Sequence, residues 1–170
     1  QLVTLDHMSG GRLELGVGIG AYREEFEALQ PGERTPRGKI VEEGVRALQK
    51  LFTDDRATFN GEFFRYKDVE LFPKPLQERI PIYFGGNNVN QLYRTATLGD
   101  GWLPAGLPLD RITADIVHLR QLCTNSDRDF SEIAIAPQYI ALVDHNHDRA
   151  VARFTSSQMH KHLVSLTQST

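Results

Sequence analysis

Apolar and polar positions along the chain fall into two alternating rhythms. Short apolar runs bounded by glycine or proline read as strands, and longer stretches with apolar residues at helical spacing read as amphipathic helices. Leu13–Gly18 reads as a short strand after the helix-stopping pair Gly10-Gly11. Tyr22–Leu29 reads as a short helix with Phe26 and Leu29 on one side, ended by Gln30-Pro31-Gly32. In "GKIVEEGVRALQKLFT", residues Ile40, Val41, Val45, Leu48, Leu51 and Phe52 recur at helical spacing. The rhythm then changes. "RATFNGEFFRYKDVELF" carries β-formers on either side of Asn60-Gly61, a hairpin signal, and reads as a β-excursion over about 56–75 that ends in extended conformation at Pro73 and Pro75.

The first rhythm resumes with "IPIYFGG" as a buried strand, "VNQLYRTATLG" as a helix stopped by Gly99, and a very short strand in "DGWLPAG". "PLDRITADIVHLRQLCTNS" follows as a helix with Ile112, Ile116, Leu119 and Leu122 on one face. "IAIAPQYIALV" reads as the longest strand, and Asp148–Phe154 opens the last helix. Strands near 13–18, 80–84, 101–104 and 133–143, each leading into a helix, predict an α/β fold with parallel strands. These units amount to half of a (β/α)8 barrel; an open doubly wound sheet is the competing architecture.

Composition narrows the functional classes. A net charge of −3 gives no sign of a nucleic-acid or membrane-surface partner. The single cysteine, Cys123, excludes an intrachain disulfide framework and fits a reducing cytoplasm. No run is apolar and long enough to span a membrane. The chain opens on Gln1 in what reads as the last turn of a helix and stops within "SQMHKHLVSLTQST", so an internal piece of a longer protein is expected. A complete small domain is the alternative.

The segment "LELGVGIGAYREEF" raises the main chemical question. A dinucleotide fold requires G-x-G-x-x-G, but Gly16, Gly18 and Gly20 are spaced G-x-G-x-G. Glu42 and Glu43, near the right distance for a ribose-binding acid, fall inside a predicted helix. No G-K-[ST] follows, which excludes a P-loop. Because alternate strand residues share a face, these glycines strip one side of the strand bare. That side either receives a flat ligand or makes room for neighbouring core side chains.

"LDHMSGGRLELGVGIGAYREEFEAL", "IPIYFGG" and "RTATLGDGWLP", in this order and spacing, resemble the bacterial luciferase-like family of flavin- and deazaflavin-dependent oxidoreductases. "ERTPRGKIVEEGVRALQKLFT" and "FNGEFFRYKDVELFPKPLQ" extend the resemblance, which is close over residues 4–105 and loose beyond. It implies a (β/α)8 TIM barrel of the luciferase-like type, of which this chain covers about half, strands four to seven, as a single partial barrel domain over 1–170. It implies coenzyme F420 or FMN as cofactor, F420 slightly preferred, with a small organic substrate and a homodimer or higher homo-oligomer in the cytoplasm.

Carried over by position, the resemblance places Gly18 and Gly20 against the cofactor's ring or ribityl chain, with Tyr22 near it. The backbone N–H groups of Gly85, Gly86 and Asn87 would hold its phosphate, as the start of a helix does for anions. Asp100, Gly101 and Trp102 would form the next strand end, Trp102 supplying an apolar wall. Asp100 is expected to cap its own turn, Asp6 and Arg12 to pair, and Arg23, Glu24 and Glu25 to be a solvated face.

Two departures matter. Several F420 users of the family carry a glutamate where this chain has Ala21, and light-emitting members an arginine where it has Ile19. No catalytic residue is therefore assigned, and a non-catalytic cofactor-binding relative is the rival reading, ahead of a nicotinamide dehydrogenase. The pairs His145/His147 and His160/His162 do not share a helical face, so no metal site is expected. With no G-x-S-x-G elbow and Cys123 in mid-helix, a nucleophilic mechanism has no support.

Overall fold

The computed structural model describes residues 1–20, 24, 28 and 36–168. The helix expected over Tyr22–Leu29 lies outside them except for Glu24 and Ala28, which are helical. The chain divides into two compact units, Gln1–Gln138 and Tyr139–Thr170.

In the first unit, α1 (Leu2–Ser9) ends at Gly10, whose φ of 66° is the left-handed cap that glycine adopts without strain. Next come β1 (Leu15–Val17) and α2 (Arg37–Thr53). The hairpin β2 (Ala57–Asn60) and β3 (Arg65–Val69) forms its own antiparallel sheet. Then follow β4 (Ile82–Gly85), α3 (Val89–Leu98), β5 (Gly101–Leu103), α4 (Leu109–Asn125) and β6 (Ala134–Ile135). The main sheet has the order β1-β4-β5-β6 and is parallel throughout. Neighbouring strands are thus successive strands of the chain, apart from the hairpin excursion.

The core lies where helices meet one face of this sheet. Trp102 of β5 packs with Leu92 and Ala96 of α3 and with Ile112, Leu119 and Cys123 of α4. Ile116 and Leu122 close the cluster from the expected face of α4. Ile82 and Phe84 of β4 pack with Val45 of α2. Full burial of one such side chain contributes about 1.5–3 kcal/mol.

The hairpin departs from the expected two-residue Asn-Gly turn. Asn60 is the last residue of β2 and pairs with Arg65, leaving a four-residue loop, Gly61–Phe64. The cause lies on α2: Glu43 Oε1 accepts the N–H groups of Phe63 and Phe64, each at 2.7 Å, and its Oε2 that of Glu62 at 2.9 Å. Burial raises the Glu43 pKa, but these three N–H donors outweigh it and hold the carboxyl below its usual range.

The stretch expected to be the longest strand is the shortest. Beyond Ile135 the ladder to β5 continues irregularly: Ala136 N donates to Trp102 O and Gln138 N to Pro104 O. Pro104, having no N–H of its own, leaves the ladder short of a bond at that point. Tyr139–Val143 is not strand. In the second unit, α5 (His147–Thr155) and α6 (Gln158–Gln168) replace the single last helix. Asp144 accepts from Arg149 and Asn146 N at the start of α5.

Candidate functional site

Strand register sorts the sheet into unlike faces. Val17, Phe84, Trp102 and Ile135 stand side by side across the four strands and face the helices. One residue earlier, Gly16, Tyr83, Gly101 and Ala134 stand side by side on the opposite face. One residue later come Gly18, Gly85, Leu103 and Ala136, at the C-terminal ends of the strands. Small residues thus recur on this face in every strand, interrupted by Tyr83 and Leu103.

Space on this face is uneven. A Cβ on Gly101 would lie 2.3 Å from the Tyr83 ring, so Gly101 is needed for Tyr83 to lie flat across the sheet. A Cβ on Gly16 would touch Leu103 Cδ1 at 3.5 Å, an ordinary contact. Among the described residues, a Cβ on Gly18 would have no atom within 4 Å, and one on Gly20 would meet only Arg37 Nη1, at 3.9 Å. Open space thus lies at the strand's C-terminal end. Towards the N-terminal end, Tyr83 Oη donates to Glu14 Oε1 at 3.4 Å; burial raises the hydroxyl's pKa, and the Glu14 charge raises it further.

Two loops leave the C-terminal ends of β1 and β4. Gly20 has φ 80°, and its carbonyl accepts from Arg37 Nη1 at 3.2 Å, which ties the first loop to the first turn of α2. In the second, Gly86 has φ 123°, a conformation that glycine alone takes readily. Gly86 N donates to Leu103 O. Asn87 spans to the loop after β5 in both directions: its Nδ2 donates to Ala105 O at 2.9 Å and its Oδ1 accepts Ala105 N at 3.0 Å. Asn88 caps α3 by accepting Gln91 N.

Of the three N–H groups that the resemblance assigns to a phosphate, those of Gly85, Gly86 and Asn87, one is engaged within the fold. Gly86 N–H already has a partner. The N–H groups of Asn87, Asn88, Val89 and Asn90 have none among the described residues and lie at or just before the positive end of α3.

Other expectations change too. Trp102, expected as an apolar wall at the cofactor, is wholly buried on the helix side and donates Nε1–H to Gly86 O at 2.8 Å, holding the glycine loop from behind. Gly101 and Trp102 begin a strand instead of ending one, and Asp100 immediately precedes it. Asp100 accepts Ile82 N at 2.9 Å and pairs with Arg79 and Arg128. Asp6 does not pair with Arg12. Wholly buried, it accepts Leu76 N, Gln77 N and Gln77 Nε2, while Arg12 Nε donates to Ser9 O. Burial raises the Asp6 pKa, but these donors bring it below its usual range. Tyr22, Ala21, Arg23 and Glu25 lie outside the described residues, and Glu24 is exposed. Among the described residues no three His, Cys, Asp or Glu side chains converge as a metal site, and no helix is long and apolar enough to cross a membrane.

The sequence reading missed Arg94 and Gln91. Both lie on the buried side of α3, at 8% and 2% exposure. Arg94 Nε donates to Glu42 Oε1 at 2.9 Å and its Nη1 to Gln91 Oε1 at 3.3 Å. The signal was present: Gln91, Arg94, Thr95 and Leu98 fall on one helical stripe, so polar residues occupy a core-facing row.

The chain is 34% identical over 123 residues to an FMNH(2)-dependent dimethylsulfone monooxygenase of Pseudomonas putida, covering 71% of this chain and 34% of that protein. An F420-dependent secondary alcohol dehydrogenase, solved with an F420-acetone adduct, superposes with a TM-score of 0.78 at 23% identity, over 90% of this chain and 47% of that one. A monooxygenase from Streptomyces bottropensis superposes with a TM-score of 0.80 at 21% identity, over 99% and 53%. The chain thus spans between about a third and a half of its relatives' length. A family profile described as luciferase-like monooxygenase matches residues 1–168, and the chain belongs to that family.

Proposed function

We propose that this chain supplies the ring-facing and phosphate-facing loops of an oxidoreductase that uses a reduced flavin or deazaflavin, FMN or F420, on a small organic substrate. One observation carries the reading. On the neighbouring ends of β1 and β4, a glycine edge at Gly18 and Gly20, uncrowded among the described residues, stands beside a helix start whose N–H groups have no partner among them. The first suits a flat ring system and the second a phosphate. The residues therefore fit such a cofactor: Gly18 and Gly20 at its ring or ribityl chain, and Asn87–Asn90 N–H at its phosphate. Gly85 and Gly86 shape that loop, and Trp102 fixes it from behind. When bound, the cofactor supplies the hydride or oxygen chemistry, and the protein binds, orients and shields it.

The finer architecture belongs to the same proposal. Helices cover one face of a parallel sheet whose order has no reversal, and the chain spans about half of its solved neighbours. Both facts support half of a (β/α)8 barrel, with β1, β4, β5 and β6 as strands four to seven and the hairpin at 56–75 as an excursion from one partial domain over 1–170. Open sheet edges favour assembly with a second copy or with further strands, as a homodimer in the cytoplasm.

Titrating the chain with FMN and separately with F420, while following the emission of Trp102, tests the reading. Saturable quenching by one cofactor is expected, because the indole is bonded to the loop that would hold the phosphate. Silence from both, repeated on a chain of the relatives' full length, overturns it. Ala21, standing where F420 users carry a carboxylate, favours a cofactor-binding relative without turnover as the second reading; steady-state substrate oxidation separates the two.

A further inference from the structure

We infer that Arg94 is a positioning residue that holds the two cofactor-facing loops in register with each other; the inference rests on the function proposed above. Its guanidinium lies between the first turns of two helices. On α2 it pairs with Glu42 and fills the space over Gly38, where a Cβ would lie 2.0 Å from Nη2. On α3 it donates to Gln91, whose Cγ packs 3.0 Å from where a Cβ on Gly86 would lie. The same first turn of α2 carries Arg37, which holds the Gly20 carbonyl. The same first turn of α3 follows the glycine loop. Two strand ends that would meet opposite parts of one cofactor are thus joined through one buried cation.

The planar fork matters more than the charge. Arginine reaches Glu42 with Nε and Gln91 with Nη1 at once, while its other nitrogen lies over Gly38. A lysine pairs with Glu42 but cannot make the second bond in the same plane. Glycine at 38 is also informative. In a helix it costs stability relative to alanine, so its presence is explained by the guanidinium above it.

The test uses the full chain with two variants, Gly38→Ala and Arg94→Lys. Gly38→Ala keeps every charge and adds helix propensity, but its methyl displaces the guanidinium. The expected result is accelerated amide exchange, about tenfold, at Ile40 on the α2 side and at Gly86 and Gln91 on the α3 side together. Ala136 and Gln138, bonded to the far side of β5, should keep their rates. FMN or F420 affinity should fall about tenfold, equivalent to about 1.4 kcal/mol. Arg94→Lys should show the same pattern to a smaller degree. Equal acceleration at Ala136 and Gln138 would mean general destabilisation and overturn the inference. So would unchanged exchange at either helix start. If the unsubstituted chain binds neither cofactor, the proposed function fails while the exchange pattern still decides the role of Arg94. Glu42→Gln, which keeps shape and removes the charge, replaces any variant that does not fold.

Discussion

Trp102→Phe separates the two roles open to this indole. The substitution removes the Nε1–H that bonds Gly86 O at 2.8 Å and leaves a smaller ring within the cluster of Leu92, Ala96, Ile112 and Leu119. An unpaired buried carbonyl costs about 1–3 kcal/mol, and the lower half of that range applies because Gly86 is half-buried and water can reach it. The volume lost, on the order of 40 Å³, adds about 1 kcal/mol at roughly 24 cal/mol per Å³ of cavity. The total is about 2–3 kcal/mol, a fall in Tm of roughly 5–10 °C for a chain of this size. Urea unfolding followed by far-UV circular dichroism measures it, since the chain's only tryptophan is lost. Cofactor affinity should fall as well, because the loop loses its rear support. A loss under about 0.5 kcal/mol, within the range of neutral surface substitutions, would refute the anchoring argument. Full stability with abolished binding would restore Trp102 as a direct wall of the site.

Other perturbations give sharp outcomes. Gly61→Ala places a Cβ 2.0 Å from Glu43 Oε1, so it should dislodge the carboxylate and open the Gly61–Phe64 loop, seen as new proteolytic cleavage there with β5 unaffected. Glu43 also makes the hairpin acid-sensitive. A carboxyl whose folded pKa is lowered contributes stability present above its unfolded value, near 4.5, and lost as pH falls through the folded one; amide exchange at Phe63 and Phe64 should accelerate below about pH 4.5 and not above it. Asp144, held down to about 2 chiefly by its bonds from Arg149 and then by Asn146 N, should keep α5 intact until pH falls from 3.8 towards 2, and Asp144→Asn should remove that transition from the helical circular dichroism signal. Asn87→Ala removes both bonds to Ala105 and should weaken cofactor binding about tenfold, with a Tm change of a few degrees.

Local pattern carried much of the fold. The apolar spacing of 38–53 and 108–126 gave α2 and α4 nearly to the residue, and Gly10 and Gly99 marked true helix ends. What escaped depended on partners far along the chain. The Asn60-Gly61 signal was local, but the loop length was set by Glu43, and Asp6 found its donors about 70 residues away at Leu76 and Gln77. The run at 133–143 was apolar enough for a long strand, but a strand extends only as far as its neighbour can pair regularly, and Pro104, the residue after β5, lacks the N–H. The candidate site was legible as glycine positions and illegible as donors, because which N–H groups are already bonded depends on register with Leu103.

That dependence on register also decides which way Trp102 faces. In a strand as short as Gly101–Leu103, a bulky residue between two smaller ones shows only that neighbours point to opposite faces, not which face is which. The assignment comes from the row. Val17 and Phe84 stand beside Trp102 and are covered by helices, so the tryptophan must face them too, and the glycines and alanines one position away must face the other side. Packing and site formation are then one constraint. Each large residue that seals the helix face assigns its neighbours, most of them small, to the opposite face. Enlarging Gly18 should therefore leave the core intact while blocking the ring. Gly18→Val adds its Cβ where no described residue lies within 4 Å, and should retain native stability while losing cofactor binding. A comparable loss of stability would show that the bare edge at Gly18 is part of the packing, and that the glycine run exists for the fold alone.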